Sequence, residues 1–203
     1  MPQVNLSRRT GHLARAALVC LILLLQGCEQ PNEMTPQERA LLITVAEFAP
    51  YVKGTHDPNR GNFTKESNPV INSRELSYKF EYSKSEKEAP LYLSTVVSVQ
   101  PRLLKPYDRV LHKAGFAIGF AFGKLKQEPL PDFPTYGDRS SMELLTLEGR
   151  PVGNLFTAEY GRKSVRLILT GIYVRDPAVW QEMFGEKLRL IEKFEEPKSP
   201  SSS

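Results

Sequence analysis

Between Leu76 and Tyr82 the chain alternates without interruption, Leu76, Tyr78, Phe80 and Tyr82 against Ser77, Lys79 and Glu81. A period of two marks a half-buried strand. After a charged turn from Ser83 to Pro90, the run Leu91 to Val99 is rich in β-branched residues and predicts a second strand, antiparallel to the first. Upstream the period is helical. Leu41, Leu42, Val45, Phe48 and Ala49 recur at helical spacing, and Thr35-Pro36-Gln37-Glu38 ahead of them has the form of a capping box with proline at the first helical position. These residues predict one helix from Thr35, closed by Pro50. From Val52 to about Asn72 the chain is rich in Gly, Pro, Asn and Asp and shows no period, which predicts a long surface loop.

Farther along, Leu104, Tyr107, Leu111, Ile118 and Phe122 fit a helical face, while Phe116, Ile118, Phe120 and Phe122 alternate; helix is the reading adopted for Arg102 to Gly123. Gly115, Gly119 and Gly123 would let it pack closely on a sheet. In a membrane this spacing would suggest helix pairing, but the apolar run is about half of the ~20 residues a span needs. Pro129, Pro131 and Pro134 make Gln127 to Tyr136 an irregular, stiff loop. Three strands follow, about Ser141 to Glu148, Val152 to Tyr160 and Val165 to Val174, joined by hairpins at Gly149-Arg150-Pro151 and Gly161-Arg162-Lys163. Leu167, Ile168 and Leu169 place apolar groups on both faces of the last strand, which argues for a central position. Asp176-Pro177 then caps a final helix with Trp180, Phe184, Leu188, Ile191 and Phe194 toward the core, and Gly185 as a point where it would kink. The expected fold is a single α+β domain over residues 35–194, a mostly antiparallel sheet of about five strands covered by helices, with a disordered polar tail from residue 195. It bears a faint resemblance to the PsbP-like α/β/α sandwich, in the last hairpin and in Gly171-Ile172-Tyr173 running into Asp176, Trp180 and Phe184.

The longest apolar run is nearer the start. Arg8, Arg9 and Arg15 precede Ala16 to Leu25, and Gln26, Gly27 and Cys28 follow, the order of a signal peptide. Leu25-Gln26-Gly27-Cys28 resembles the lipobox of bacterial lipoproteins. Ser7-Arg8-Arg9 also resembles a twin-arginine signal, but Gly11 stands where that signal has a bulky apolar residue, so general secretion is expected. The lipoprotein resemblance implies cleavage after residue 27, a diacylglyceryl thioether on Cys28, often a further acyl chain such as palmitate on its new amino terminus, and a short tether over residues 28–34. Two or more acyl chains, at about 0.8 kcal/mol per buried CH₂, hold a protein stably on a membrane. In enteric-type bacteria an Asp directly after the cysteine favours inner-membrane retention. Glu29 stands there instead, and the expected address is the outer membrane, facing the periplasm.

Charge takes its meaning from that signal. The chain carries a formal net charge of +4, yet three of its 27 basic residues and none of its 23 acidic ones precede Cys28, leaving a near-neutral domain. Nucleic acid is therefore not an expected partner. Of two cysteines, Cys20 lies within the signal and Cys28 ends it, so the domain has no internal disulfide to form.

Candidate chemistry is sparse. His56 and His112 are the only histidines beyond the signal, and no metal ligand set or cofactor motif is visible. His112 beside Lys113 reads as a surface or packing residue. His56-Asp57 would orient a base only if a nucleophile faced it. Asn62-Phe63-Thr64 matches a glycosylation sequon, which carries little meaning in a bacterial lipoprotein. The most suggestive patch is the proline-stiffened loop with Asp132, Phe133, Tyr136, Asp138 and Arg139, read either as a binding loop or as an ordered connection whose Asp138 and Arg139 bond locally and to each other. The expectation is a non-catalytic accessory or interaction domain on a membrane anchor. Its rival is a small-ligand or lipid-binding domain with a pocket between sheet and helix, walled by Phe116, Phe120 and Tyr136.

Overall fold

The computed structural model describes residues 33–52, 60–68, 73–82, 91–100 and 125–195. Cys28 and the segment before it, read above as a signal, together with His56, Asp57, His112, the helix expected from Arg102 to Gly123 with Phe116 and Phe120, and the tail beyond residue 195, lie outside the described residues. From Met34 onward the chain forms one compact unit.

Thr35 caps the first helix, α1 (Pro36–Ala40), and Glu38 bonds back to the Thr35 amide, as the capping box requires. The expected single helix is in fact two. The chain leaves α1 at Leu41, buries Leu41, Leu42 and Ile43 outside any helix, and starts again at α2 (Val45–Phe48). Thr44 and Glu47 form a second capping box, with Thr44 N–H donating to Glu47 Oε2 at 2.6 Å. Pro50 lies within a 3₁₀ turn, Ala49–Tyr51.

The strands are β1 (Asn62–Asn68), β2 (Ser73–Tyr82), β3 (Leu91–Val99), β4 (Leu125–Pro129), β5 (Arg139–Leu147), β6 (Arg150–Tyr160) and β7 (Lys163–Thr170), and α3 (Pro177–Lys193) follows them. Among the described residues the sheet has seven strands in the order β1-β2-β3-β7-β6-β5-β4, with every neighbouring pair antiparallel, so the domain is α+β. The expected five strands were too few because both edge strands lie in segments read as loops. β1 falls within the predicted loop after Val52, and β4 takes in the start of the proline-rich stretch. Both are polar for the same reason: an edge strand has no second neighbour and buries little, so Phe63 alone of β1 packs on the core, and four of the five β4 residues are exposed. Pro129, which ends β4, is tolerated there because an edge strand's outer side needs no donor.

The central position expected for β7 holds, with β3 on one side and β6 on the other. One row of the inner face crosses six strands as Phe63, Tyr78, Thr95, Leu167, Phe156 and Met142. The polar member, Thr95, is fully buried and donates to the Ile43 carbonyl at 2.8 Å, which satisfies its hydroxyl and holds the α1–α2 link on the sheet. The β5–β6 turn places Glu148 and Gly149 at φ 52° and 76°, the left-handed pair of a tight hairpin turn. β7 stops at Thr170, short of the expected Val174, because Gly171 turns the chain at φ 85°.

The segment after β7 is then clamped. Asn154, fully buried on β6, accepts from Val174 N–H at 2.6 Å and donates to the Val174 carbonyl at 2.9 Å, imitating a strand partner. Asp176 caps α3 as predicted, and the helix runs through Gly185 without interruption. Trp180, Phe184, Leu188 and Ile191 are buried as expected, with Phe194 partly so. Phe156, Trp180 and Phe184 stack in sequence at 5.1 and 4.5 Å between ring centroids. Each such ring contributes about 1.5–3 kcal/mol by burial.

At the far edge, Glu38 joins α1 to the strands. Its Oε2 meets Lys65 Nζ at 2.9 Å and its Oε1 meets Arg74 at 3.6 Å, while Arg39 lies 5.1 Å over the Phe63 ring. Burial works to raise the Glu38 pKa, but the Thr35 amide and the two cations outweigh it and hold the carboxyl below its ordinary value.

Candidate functional site

A cleft of about 560 Å³ opens between α3 and the loop that follows β4. The loop comes from the patch the sequence singled out, and the structure divides that patch by role. Leu130 N–H continues the β4–β5 pairing by donating to the Met142 carbonyl at 2.9 Å. Phe133 then turns inward and meets Trp180 edge-on at 6.1 Å, a packing contact. Asp132 is exposed and makes no hydrogen bond among the described residues.

The predicted loop lines the cleft with Thr135, Tyr136 and Gly137, and Tyr136 is the ring among them. Its amide donates to Ser140 Oγ at 2.9 Å, its ring stands edge-on to Phe156 at 5.5 Å, and its hydroxyl donates to Gln181 Oε1 at 3.1 Å. Gly137 follows with φ 65°, pressed so closely on β6 that a side chain there would strike the Glu159 carbonyl and the Tyr160 ring. Asp138 completes the anchorage: its N–H donates to the Glu159 carbonyl at 2.8 Å, and its Oδ2 accepts from Gly161 N–H at 2.6 Å. Asp138 therefore bonds to backbone, as the ordered-connection reading expected. The expected pairing with Arg139 is absent, because Arg139 opens β5 and its side chain is exposed at the strand end.

The opposite wall is helical. Gln181, Gly185, Leu188 and Glu192 recur at steps of three and four, with Arg189 beside them, one face of α3 set beside the buried stripe of Trp180, Phe184 and Ile191. Glu186 stands at the same mouth, and Tyr160 closes the cleft from β6. Gly185 keeps the wall low. A side chain there would push against the Gln181 amide. The sequence carried this face in plain view, but a mixed polar stripe on a helix is the ordinary solvated side unless a loop is known to lie over it.

Both phenols are held in their neutral form. Burial raises the Tyr136 pKa, and burial together with the negative charge of Glu192 and the neighbouring Tyr136 pushes Tyr160 up to about 12. Lys163, in β7, donates through Nζ to the carbonyls of Glu192 and Phe194 and so caps the last turn of α3, fixing the end of the wall. Desolvation lowers its pKa, partly opposed by Glu192 and Glu195.

The arrangement offers aromatic rings, an amide, carboxylates and a guanidinium around a space of small-ligand size. Among the described residues the lining side chains include one hydroxyl besides the phenols, that of Thr135, and no serine, cysteine, histidine or lysine. Among the described residues no three His, Cys, Asp or Glu side chains gather as a metal site, and no helix is long and apolar enough to cross a membrane. Neither a protein-family model, nor a curated protein, nor a solved structure matches the chain.

Proposed function

We propose that this chain is a lipoprotein of the bacterial cell envelope, held through lipid on Cys28 and facing the periplasm from the outer membrane, whose α+β domain is a non-catalytic accessory or interaction module. Anchoring rests on the ordered sequence of basic residues, short apolar run and Leu25-Gln26-Gly27-Cys28. The observation that carries the module reading is the Tyr136 cleft: its loop is pinned to the β6–β7 hairpin, and its polar groups are the Thr135 hydroxyl, the Gln181 amide, two phenols and exposed charges. Growth with labelled palmitate tests the anchor. Wild type takes the label and Cys28→Ser does not; equal labelling of both overturns it. Capture of the detergent-solubilised protein from membranes tests the module, and recovery with no stoichiometric partner or bound small molecule counts against it.

The cleft also favours a second reading, a small-ligand site. Tyr136 lines it, and the facing wall among the described residues is α3, whereas Phe116 and Phe120 of the pocket expected beside the glycine-rich segment lie outside them.

A further inference from the structure

The sheet has a second face, turned away from α1, α2 and α3, which all pack on the inner one. Its two halves differ. Over β1 and β2 the outward positions include Thr64, Glu66, Lys79 and Glu81, all exposed. One outward row continues from Lys79 through Ser94 and Ile168 to Leu155, and Leu145 lies beside it opposite Gly153. Here Ser94 and Ser98 are buried, and Leu155 and Leu145 keep only 5 % and 0 % of their surface in water. Neither leucine belongs to the apolar core beneath the helices, and a leucine on an open sheet face stays wet. This half of the face is therefore covered from outside the described residues. We propose that the cover is residues 101–124, crossing the outer face over β7, β6 and β5.

Connectivity requires a crossing. That segment joins β3 to β4, which run parallel with β7, β6 and β5 between them, so it travels about 19 Å sideways on one face or the other. Chain handedness selects the face. Met142 points into the helix-side core, and its carbonyl accepts from Leu130 N–H at 2.9 Å, so its peptide groups point to β4. For an L-residue whose side chain faces the viewer on a strand running upward, those groups point to the right. Seen from the helices with β5 upward, β4 thus lies on the right, while β3 and β4 both run downward. Parallel strands are joined by right-handed crossovers almost without exception, and here the right-handed path passes behind the sheet.

The composition agrees. The segment carries Phe116, Ile118, Phe120 and Phe122, the apolar groups such a face requires. Residues 69–72 and 83–90 join neighbouring strands at the other end of the sheet and are too short to reach β5 and return. With this half of the outer face occupied by the chain itself, a partner is left the helix-bearing side and the charged surface of β1 and β2.

Photocrosslinking of the detergent-solubilised full-length protein, with p-benzoylphenylalanine in place of Phe120 and adducts located by mass spectrometry, tests the proposal. Adducts at outward residues of β5, β6 or β7, such as Leu155 or Ile168, in a product of monomer mass are the expected result. Adducts confined to α1, α2 or α3 or to residues 1–32, a product of twice the monomer mass, or no adduct at all overturn it. A second readout needs no unnatural residue. The thiol of Ser98→Cys reacts with maleimide about 100-fold more slowly than that of Thr64→Cys on the open half, with sites again read by mass spectrometry; equal rates overturn the cover.

Discussion

Two carboxamides, Asn154 on β6 and Gln181 on α3, behave in opposite ways. Asn154 is fully buried, uses both its oxygen and its nitrogen on the backbone of Val174, and leaves no alternative arrangement open. Gln181, seven residues beyond Val174, is exposed, spends one acceptor on Tyr136 and keeps its nitrogen in reserve. The same functional group is a structural clamp where water is excluded and keeps a donor uncommitted where water is admitted. Burial sets the role, because an unbonded amide is costly only away from solvent. The Glu38 cluster belongs with Asn154: its carboxylate is buried and committed on all sides.

That contrast breaks most visibly at Asn154. Asn154→Leu leaves the Val174 N–H and carbonyl buried without partners and lowers stability by about 3 kcal/mol, read as a fall in the urea midpoint at unchanged slope; a loss below about 1 kcal/mol would remove the clamp from the comparison. Next is Glu38→Gln, which strips the helix cap of its charge and leaves Lys65 and Arg74 facing a neutral group, at a cost of about 2 kcal/mol.

The pH dependence has a definite sign. Because the folded Glu38 pKa is depressed, its contribution is present above the ordinary carboxyl value of 4.5 and is lost as pH falls through the lower folded value. Wild type and Glu38→Gln should therefore converge in thermal midpoint toward acid. At the alkaline end, Tyr160 ionises more readily once unfolded, so stability declines as pH rises from about 10 toward 12. Tyr160→Phe flattens that decline, which alkaline melts would register.

The smallest effect is expected at Gly185→Ala. The substitution gains about 1 kcal/mol of helix propensity and loses about as much when Gln181 is pushed off Tyr136, so the unfolding midpoint barely moves while the cleft loses its hydrogen bond. A large drop in stability would mean that Gln181, like Asn154, is structural.

How far these features were legible in the sequence depends on how many neighbours each residue answers to. Thr35 with Glu38, and Asp176 with Pro177, announce their helix starts because capping is local. The β5–β6–β7 meander was legible from its short turns and from Leu167, Ile168 and Leu169. Thr44-Val45-Ala46-Glu47 carried the same capping signature as Thr35 to Glu38, but it sat inside an apolar period that ran through it, and the period masked the break. β1 and β4 were hidden because an edge strand has little to bury. The cleft was half legible. Tyr136 stood out on a stiffened loop, while Gln181, Arg189 and Glu192 became meaningful only when the fold laid that loop over one side of α3.

The aromatic stack under the cleft has an optical consequence. Trp180 is the only tryptophan of the chain, wholly shielded, with an indole N–H that finds no hydrogen-bond acceptor among the described residues. An indole so isolated emits at the blue end of its range, and its transition dipole is coupled to rings held at fixed angles by Phe133, Phe156 and Phe184. Because it immediately precedes Gln181, which lines the cleft, its emission is a dye-free readout by which occupancy of the cleft can be tested.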